Sequence, residues 1–158
     1  MKNWRRKNAE LQRNAGGIPV ILLGEHIANG PYDHVGIDNV AAARDATAQL
    51  IGLGRRRRIG AIGQPPDAVF CYNDLLAIGA MRTILNRGLR VPDDIAVVGF
   101  DDIEESRYSF PSLTTISPDK HEIARLAVAQ LFKRLKGDSA VPVSHHVEYR
   151  LVTRIIAR

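Results

Sequence analysis

Two short polar pairs each end an apolar run. Asn73-Asp74 follows Ala68-Val69-Phe70-Cys71-Tyr72, and Asp101-Asp102 follows Ile95-Ala96-Val97-Val98-Gly99-Phe100. An amide presents a donor and an acceptor together, and a carboxylate accepts from two hydroxyls, so these side chains suit a small polyol or sugar. They also have a structural use. Asn73 or Asp74 can cap a following helix, and Asp102 can start a turn. On the residues alone, the structural use is the simpler account.

Other chemistry is sparse. The sequence contains no Walker-type phosphate loop, no G-x-G-x-x-G, no G-x-S-x-G elbow and no H-E-x-x-H. Cys71 sits inside an apolar run, where a thiol serves as a small filler and not as a nucleophile. His145 and His146 are adjacent on an expected strand, so their rings point to opposite faces and do not chelate one ion. His26, His34 and His121 lack ligand spacing. Asp101 and Asp102, as sequence neighbours, diverge too readily to form an acid–base pair. The expectation is a binding protein, not an enzyme, with no cofactor and no metal site.

The elements that must position these residues alternate along the chain. Strands are expected at Ile18 to Leu23, Val35 to Ile37, Arg58 to Ile62, Ala68 to Cys71 and Ile95 to Phe100, with an edge strand within Val147 to Ile156. Mostly continuous apolar runs indicate strands covered on both faces, as in a parallel sheet. Helices are expected over Asn3 to Asn14, over Asn39 to Leu53 beside Asp38 and before Gly54, and over Asp74 to Arg87 after Asn73. Ser117 and Pro118 are expected to open another, with Ile123, Leu126, Ala127, Leu131 and Leu135 as its apolar stripe and Gly137 as its stop. The fold class is therefore α/β. The strand near Ile62 and the strand at Ala68 are separated only by Gly63-Gln64-Pro65-Pro66-Asp67. Parallel neighbours need a crossover of about a dozen residues, so this junction reads as a passage between lobes.

Composition sets the outer bounds. With 158 residues and 45% hydrophobic content the chain can bury a core, and its one cysteine excludes an internal disulfide framework. No apolar run is long enough to span a bilayer, and the first residues carry no secretory pattern, so the chain is expected to be soluble and cytoplasmic, with no membrane partner. The formal charge is +5, but nine cations lie in residues 2–13 and 55–58, and the rest of the chain holds 13 cations against 16 anions. Clusters bordering structural elements read as solvated ends, and no nucleic-acid contact residue is assigned.

The order and spacing of several segments resemble the sensor domain of the lactose- and galactose-repressor (LacI/GalR) family. The carrying residues are Pro66 to Asp74, Ala77-Ile78-Gly79-Ala80, Gly88 to Asp102 and Pro111 to Ile116. Gly17 to Glu25, Val35 to Asn39 and Leu50 to Arg56 are similar to part of the same sensor's first lobe. The resemblance implies a periplasmic-binding-protein-like fold of two lobes. It implies that Asn73 and Asp101 hydrogen-bond a sugar-like effector, with Asp74 and Asp102 as weaker assignments, and this reverses the preference for a purely structural use. The expected division is a basic helix over 1–16, a partial N-terminal lobe over 17–63 and a C-terminal lobe over 64–158.

Measured against that family, the chain is expected to be a truncated sensor. Nothing before Gly17 resembles a helix-turn-helix, so operator DNA is expected to be met only through a missing head. A family segment is expected to be absent near Gly63 to Pro66, together with the arginine that clamps many effectors; Arg55 to Arg58 are not assigned that role. The leading reading is an effector sensor of a transcription regulator. The alternative is an effector-blind fragment that forms a homodimer or associates with a full-length relative.

Overall fold

A computed structural model describes residues 16–24, 30–54 and 66–154. The expected helix at Asn3 to Asn14, the strand at Arg58 to Ile62, His26, both basic clusters and residues 63–65 of the junction lie outside the described residues. The chain divides into two compact units: the described residues up to Ile37 together with Asp119–Val147, and Asp38–Pro118 together with Glu148 onward.

In the first unit, β1 (Ile21–Leu23), β2 (Asp33–Gly36) and β6 (Ser144–His146) form a parallel sheet in the order β1-β2-β6. The central strand is fully buried although it begins Asp33-His34. Asp33 is neutralised by Arg134 of α4 (Lys120–Leu135), and the His34 ring lies 3.1 Å from the Gly24 carbonyl and 3.0 Å from the Ser144 hydroxyl. Helix α4 begins where Asp119 accepts from the Glu122 N–H at 2.9 Å. Ser117 and Pro118, expected to open this helix, instead close a strand of the second unit. The stripe Ile123, Leu126, Ala127 and Leu131 is half-buried, whereas Leu135 is 59% exposed.

The second unit is built on β3 (Ala68–Phe70), β4 (Ala96–Phe100), β5 (Thr114–Pro118) and β7 (Tyr149–Val152), in the order β3-β4-β5-β7. The first three are parallel and β7 pairs antiparallel at the edge. The edge strand expected within Val147 to Ile156 is β7, and the strand expected to carry His145 and His146 is β6, in the other sheet. Helix α2 (Asp74–Asn86) buries Ala77, Met81 and Ile84 in a core with Cys71, Ile95, Val97 and Leu113. Helix α1 (Asn39–Gly52) starts at Asp38, which accepts from the Val40 and Ala41 N–H groups, and buries Ala42, Ala46 and Leu50 at a spacing of four. It packs on β3, β5 and β7. Val97 joins the α2 core, and Ala96 and Val98, buried as well, point to the opposite face of β4. That burial on both faces is why β4 reads as a continuous apolar run.

The helix at Asn39, expected in the first lobe, groups with the second unit, and α4 and β6, expected in the C-terminal lobe, group with the first. Helix α1 stays with the second unit through its apolar stripe and through the Tyr149 hydroxyl, which donates to Asp45 at 2.7 Å.

Candidate functional site

Strands β3 and β4 are parallel neighbours, so their carboxyl ends lie side by side, the region where open α/β sheets bind ligands. After β3, Cys71 still donates its N–H to Val98, and the chain then reaches Asn73 at the mouth of α2. Asn73 is the N-cap: its Oδ1 accepts from the Leu76 N–H at 2.9 Å. Capping uses only the oxygen. The two Nδ2 donors of this half-buried side chain have no hydrogen-bond partner among the described residues.

After β4 the chain turns sharply. Asp101 and Asp102 adopt φ of 104° and 49°, left-handed values that residues other than glycine seldom take, and such residues cost of order 1–3 kcal/mol unless their surroundings hold them. Three backbone donors in a row are held. The Asp101 N–H donates to the Ile116 carbonyl at 2.9 Å, the Asp102 N–H reaches Thr115 Oγ1 at 3.4 Å, and the Ile103 N–H donates to Asp74 Oδ2 at 2.9 Å. Asp101 is half-buried at the strand end.

Asp74 and Asp102 are differently placed. Asp74 is wholly buried and accepts from Thr115 Oγ1 at 2.5 Å and Ser106 Oγ at 2.9 Å as well as from Ile103. Asp102 is buried in an ion pair with Arg154 and accepts from Ser117 Oγ at 2.9 Å. Burial pushes the Asp102 carboxyl up, but the Arg154 guanidinium and the Ser117 hydroxyl outweigh it and hold the group below the usual carboxylate range. Both carboxylates bind the unit's own structure; Asn73 and Asp101 are half-buried at the strand ends. The Asp74–Ile103 bond nevertheless joins the two sequence pairs into one assembly. Burial pushes the Cys71 thiol up, as its place in the core requires.

The supporting residues Ser106, Thr115, Ser117 and Arg154 carried no sequence signal beyond being polar. Gly99 did carry one, as the glycine inside an apolar strand: a Cβ there would lie 2.2 Å from Asp74 Oδ1. Two depressions lie elsewhere, one lined by Ile78, Glu104, Glu105, Tyr108 and Ser109, the other beside the already paired Asp33 and Arg134. Among the described residues no three His, Cys, Asp or Glu side chains could hold a metal ion, and no helix is long and apolar enough to cross a membrane.

The model of the periplasmic binding protein-like domain family matches residues 25–155. The HTH-type transcriptional repressor CytR of Escherichia coli strain K12 is 37% identical over 135 residues, covering 85% of this chain and 35% of CytR. A LacI-type transcription regulator from Bifidobacterium animalis subsp. lactis has a solved structure that is 29% identical, with a TM-score of 0.76, covering 86% of this chain and 71% of that one. The chain belongs to this family, in its LacI/GalR form.

The LacI/GalR fold extends to more distant structures. A LacI family transcriptional regulator from Enterococcus faecium with bound ribose is 19% identical, with a TM-score of 0.77, covering 91% of this chain and 72% of that one. The chain spans about a third of the length of CytR. As a LacI/GalR effector-binding domain it is a ligand-binding module, not an enzyme.

Proposed function

We propose that this chain is the sensor for a sugar or related small polar metabolite in a transcription regulator, and that Asn73 and Asp101 are its effector contacts. The reading is supported by the placement of Asn73, whose Nδ2 donors are not used in capping, and of Asp101 at the ends of two adjacent parallel strands. Together they supply the donors and acceptors that a polyol's hydroxyls require. The ribose in the Enterococcus faecium regulator supports the ligand class. Control of transcription would run through a helix-turn-helix head, as befits a relative of the HTH-type repressor CytR, and that head would supply the contact with operator DNA. Calorimetric titration with D-ribose, D-xylose, D-glucose, D-galactose and cellobiose tests the reading. One of these sugars should bind, and Asn73→Ala and Asp101→Ala should each weaken it at least tenfold; silence across the panel, or binding indifferent to both substitutions, overturns it.

A second reading rests on a different observation. Tyr72, Leu75 and Leu76 near the start of α2, and Tyr108 and Phe110 beyond β4, are exposed, Phe110 by 93%. Exposed apolar side chains in such number suit a surface that a second copy or a full-length relative covers. Light scattering that shows a monomer at all concentrations, with no association to such a relative, would count against it.

A further inference from the structure

We propose that Asp74 is the positioning residue of the effector site: without touching effector, it fixes the Asp101 turn relative to Asn73 and so sets the affinity. The inference rests on the sensor reading above for its consequence, but its geometry stands on the fold alone.

Asp74 is the residue after Asn73 and the first residue of α2, so its backbone cannot move without moving the candidate amide. Its side chain points into the unit, wholly buried, and takes the Ile103 N–H on one oxygen and the Thr115 hydroxyl on the other. Thr115 Oγ1 in turn faces the Asp102 N–H. One carboxylate therefore holds the far end of the left-handed turn directly and its middle through Thr115, and that turn carries Asp101. An unsupported pair of left-handed aspartates would relax towards ordinary backbone, moving Asp101 from its place at the end of β4. Ser106 Oγ completes the grip, its one proton shared between Asp74 and the Ile103 carbonyl. Gly99 leaves the space that the carboxylate occupies. A capping residue would need none of this, and the cap of α2 is already Asn73. The three donors around Asp74 come from the loop after β4, from α3 (Glu105–Tyr108) and from β5, so the residue ties the end of β3 to everything that shapes the end of β4.

The test uses the full chain with two readouts. In the sugar-free protein, Asp74→Ala should raise amide hydrogen exchange at Ile103 and Asp102 at least tenfold while Val97 and Val98 in β4 stay protected. Asp74→Asn, which can keep an oxygen on Ile103 by turning its nitrogen towards Thr115, should recover part of that protection. In titrations with whichever panel sugar binds, Asp74→Ala should weaken binding about tenfold, and adding it to Asp101→Ala should weaken binding no further, because the effect passes through Asp101. A merely structural role would make the two losses additive. If Asp74→Ala does not fold, Thr115→Val severs the link to the Asp102 N–H and should loosen that amide, while the Ile103 N–H keeps its bond to Asp74. Unchanged exchange at Ile103 and Asp102 overturns the proposal, as do additive affinity losses. If no panel sugar binds, the sensor reading falls while the exchange measurement alone decides whether Asp74 holds the turn.

Discussion

The Asp33 carboxylate and the Arg134 guanidinium meet fork to fork, with Arg134 Nε donating to one oxygen at 2.6 Å and Nη2 to the other at 2.7 Å. Asp33 lies on the central strand of the first sheet and is almost wholly buried, and the Val143 N–H donates to it as well. Arg134 also donates to the Asp138 and Ala140 carbonyls, so the pair shapes the loop that leads into β6. Removing one member of such a pair strands the other's charge, at a cost of about 3–5 kcal/mol. Arg134→Met should therefore lower the unfolding free energy measured in urea by an amount of that order. A loss below 1 kcal/mol would mean that Asp33 is reached by water.

The same pair predicts acid sensitivity. The hydrogen bond from Arg134, opposed by burial and aided by the Val143 N–H, lowers the Asp33 carboxyl from 3.8 to about 2. A group whose pKa is depressed on folding contributes stability above its unfolded value and loses it as pH falls through the folded one. The contribution is about 2 kcal/mol, complete above pH 4 to 5 and lost between about pH 4 and pH 2. Urea titrations at pH 6, 4 and 2.5 should show that slope in the wild type and a shallower one in Arg134→Met.

Gly99 should tolerate no side chain. A Cβ there would sit 2.2 Å from Asp74 Oδ1 and 2.9 Å from Leu113 Cδ2, both in buried groups with no room to retreat. Overpacking of this kind costs about 1–3 kcal/mol, and displacing the Asp74 carboxylate leaves the Ile103 N–H short of its acceptor at about 1 kcal/mol more. Gly99→Ala should lose about 3 kcal/mol by urea unfolding, whereas Gly79→Ala, in the interior of α2 with open space around it, should stabilise by about 0.5–1 kcal/mol.

How far the sequence can be read depends on whether a residue's partner is local. Strands β3 and β4 and helices α1 and α2 are legible because apolar runs and caps sit in neighbouring positions. Strand β5 is not: Thr114-Thr115-Ile116-Ser117 is mostly polar, and it is buried only because Thr115 and Ser117 reach Asp74 and Asp102 from elsewhere in the chain. Asp33 and His34 look like loop residues until Arg134 and Ser144 arrive from far along the chain. The stripe Ala42, Ala46 and Leu50 announces a helix but not the sheet it covers, which is why α1 was expected in the other lobe.

The candidate site divides in the same way. That Asn73 and Asp101 end parallel strands follows from where the apolar runs stop. That Asp74 and Asp102 are consumed by Ser106, Thr115, Ser117 and Arg154 requires the sheet order, which brings β5 beside β4 and β7 beside β5. Capping and ligand binding are thus not rival uses of Asn73, because they draw on different atoms of one amide.

That separation of atoms gives the most discriminating substitution. Asn73→Asp keeps an oxygen for the Leu76 N–H, and aspartate caps helices as well as asparagine does, so stability should stay within about 0.5 kcal/mol of wild type. The Nδ2 donors are lost, and a carboxylate stands in their place, so sugar affinity should fall at least tenfold, corresponding to about 1.4 kcal/mol. Asn73→Ala should lose both functions, with about 1 kcal/mol of stability going with the cap. Urea unfolding and calorimetry on the two variants separate the roles: if Asn73→Asp binds sugar like wild type, the amide donors are not effector contacts, and Asn73 is a cap alone.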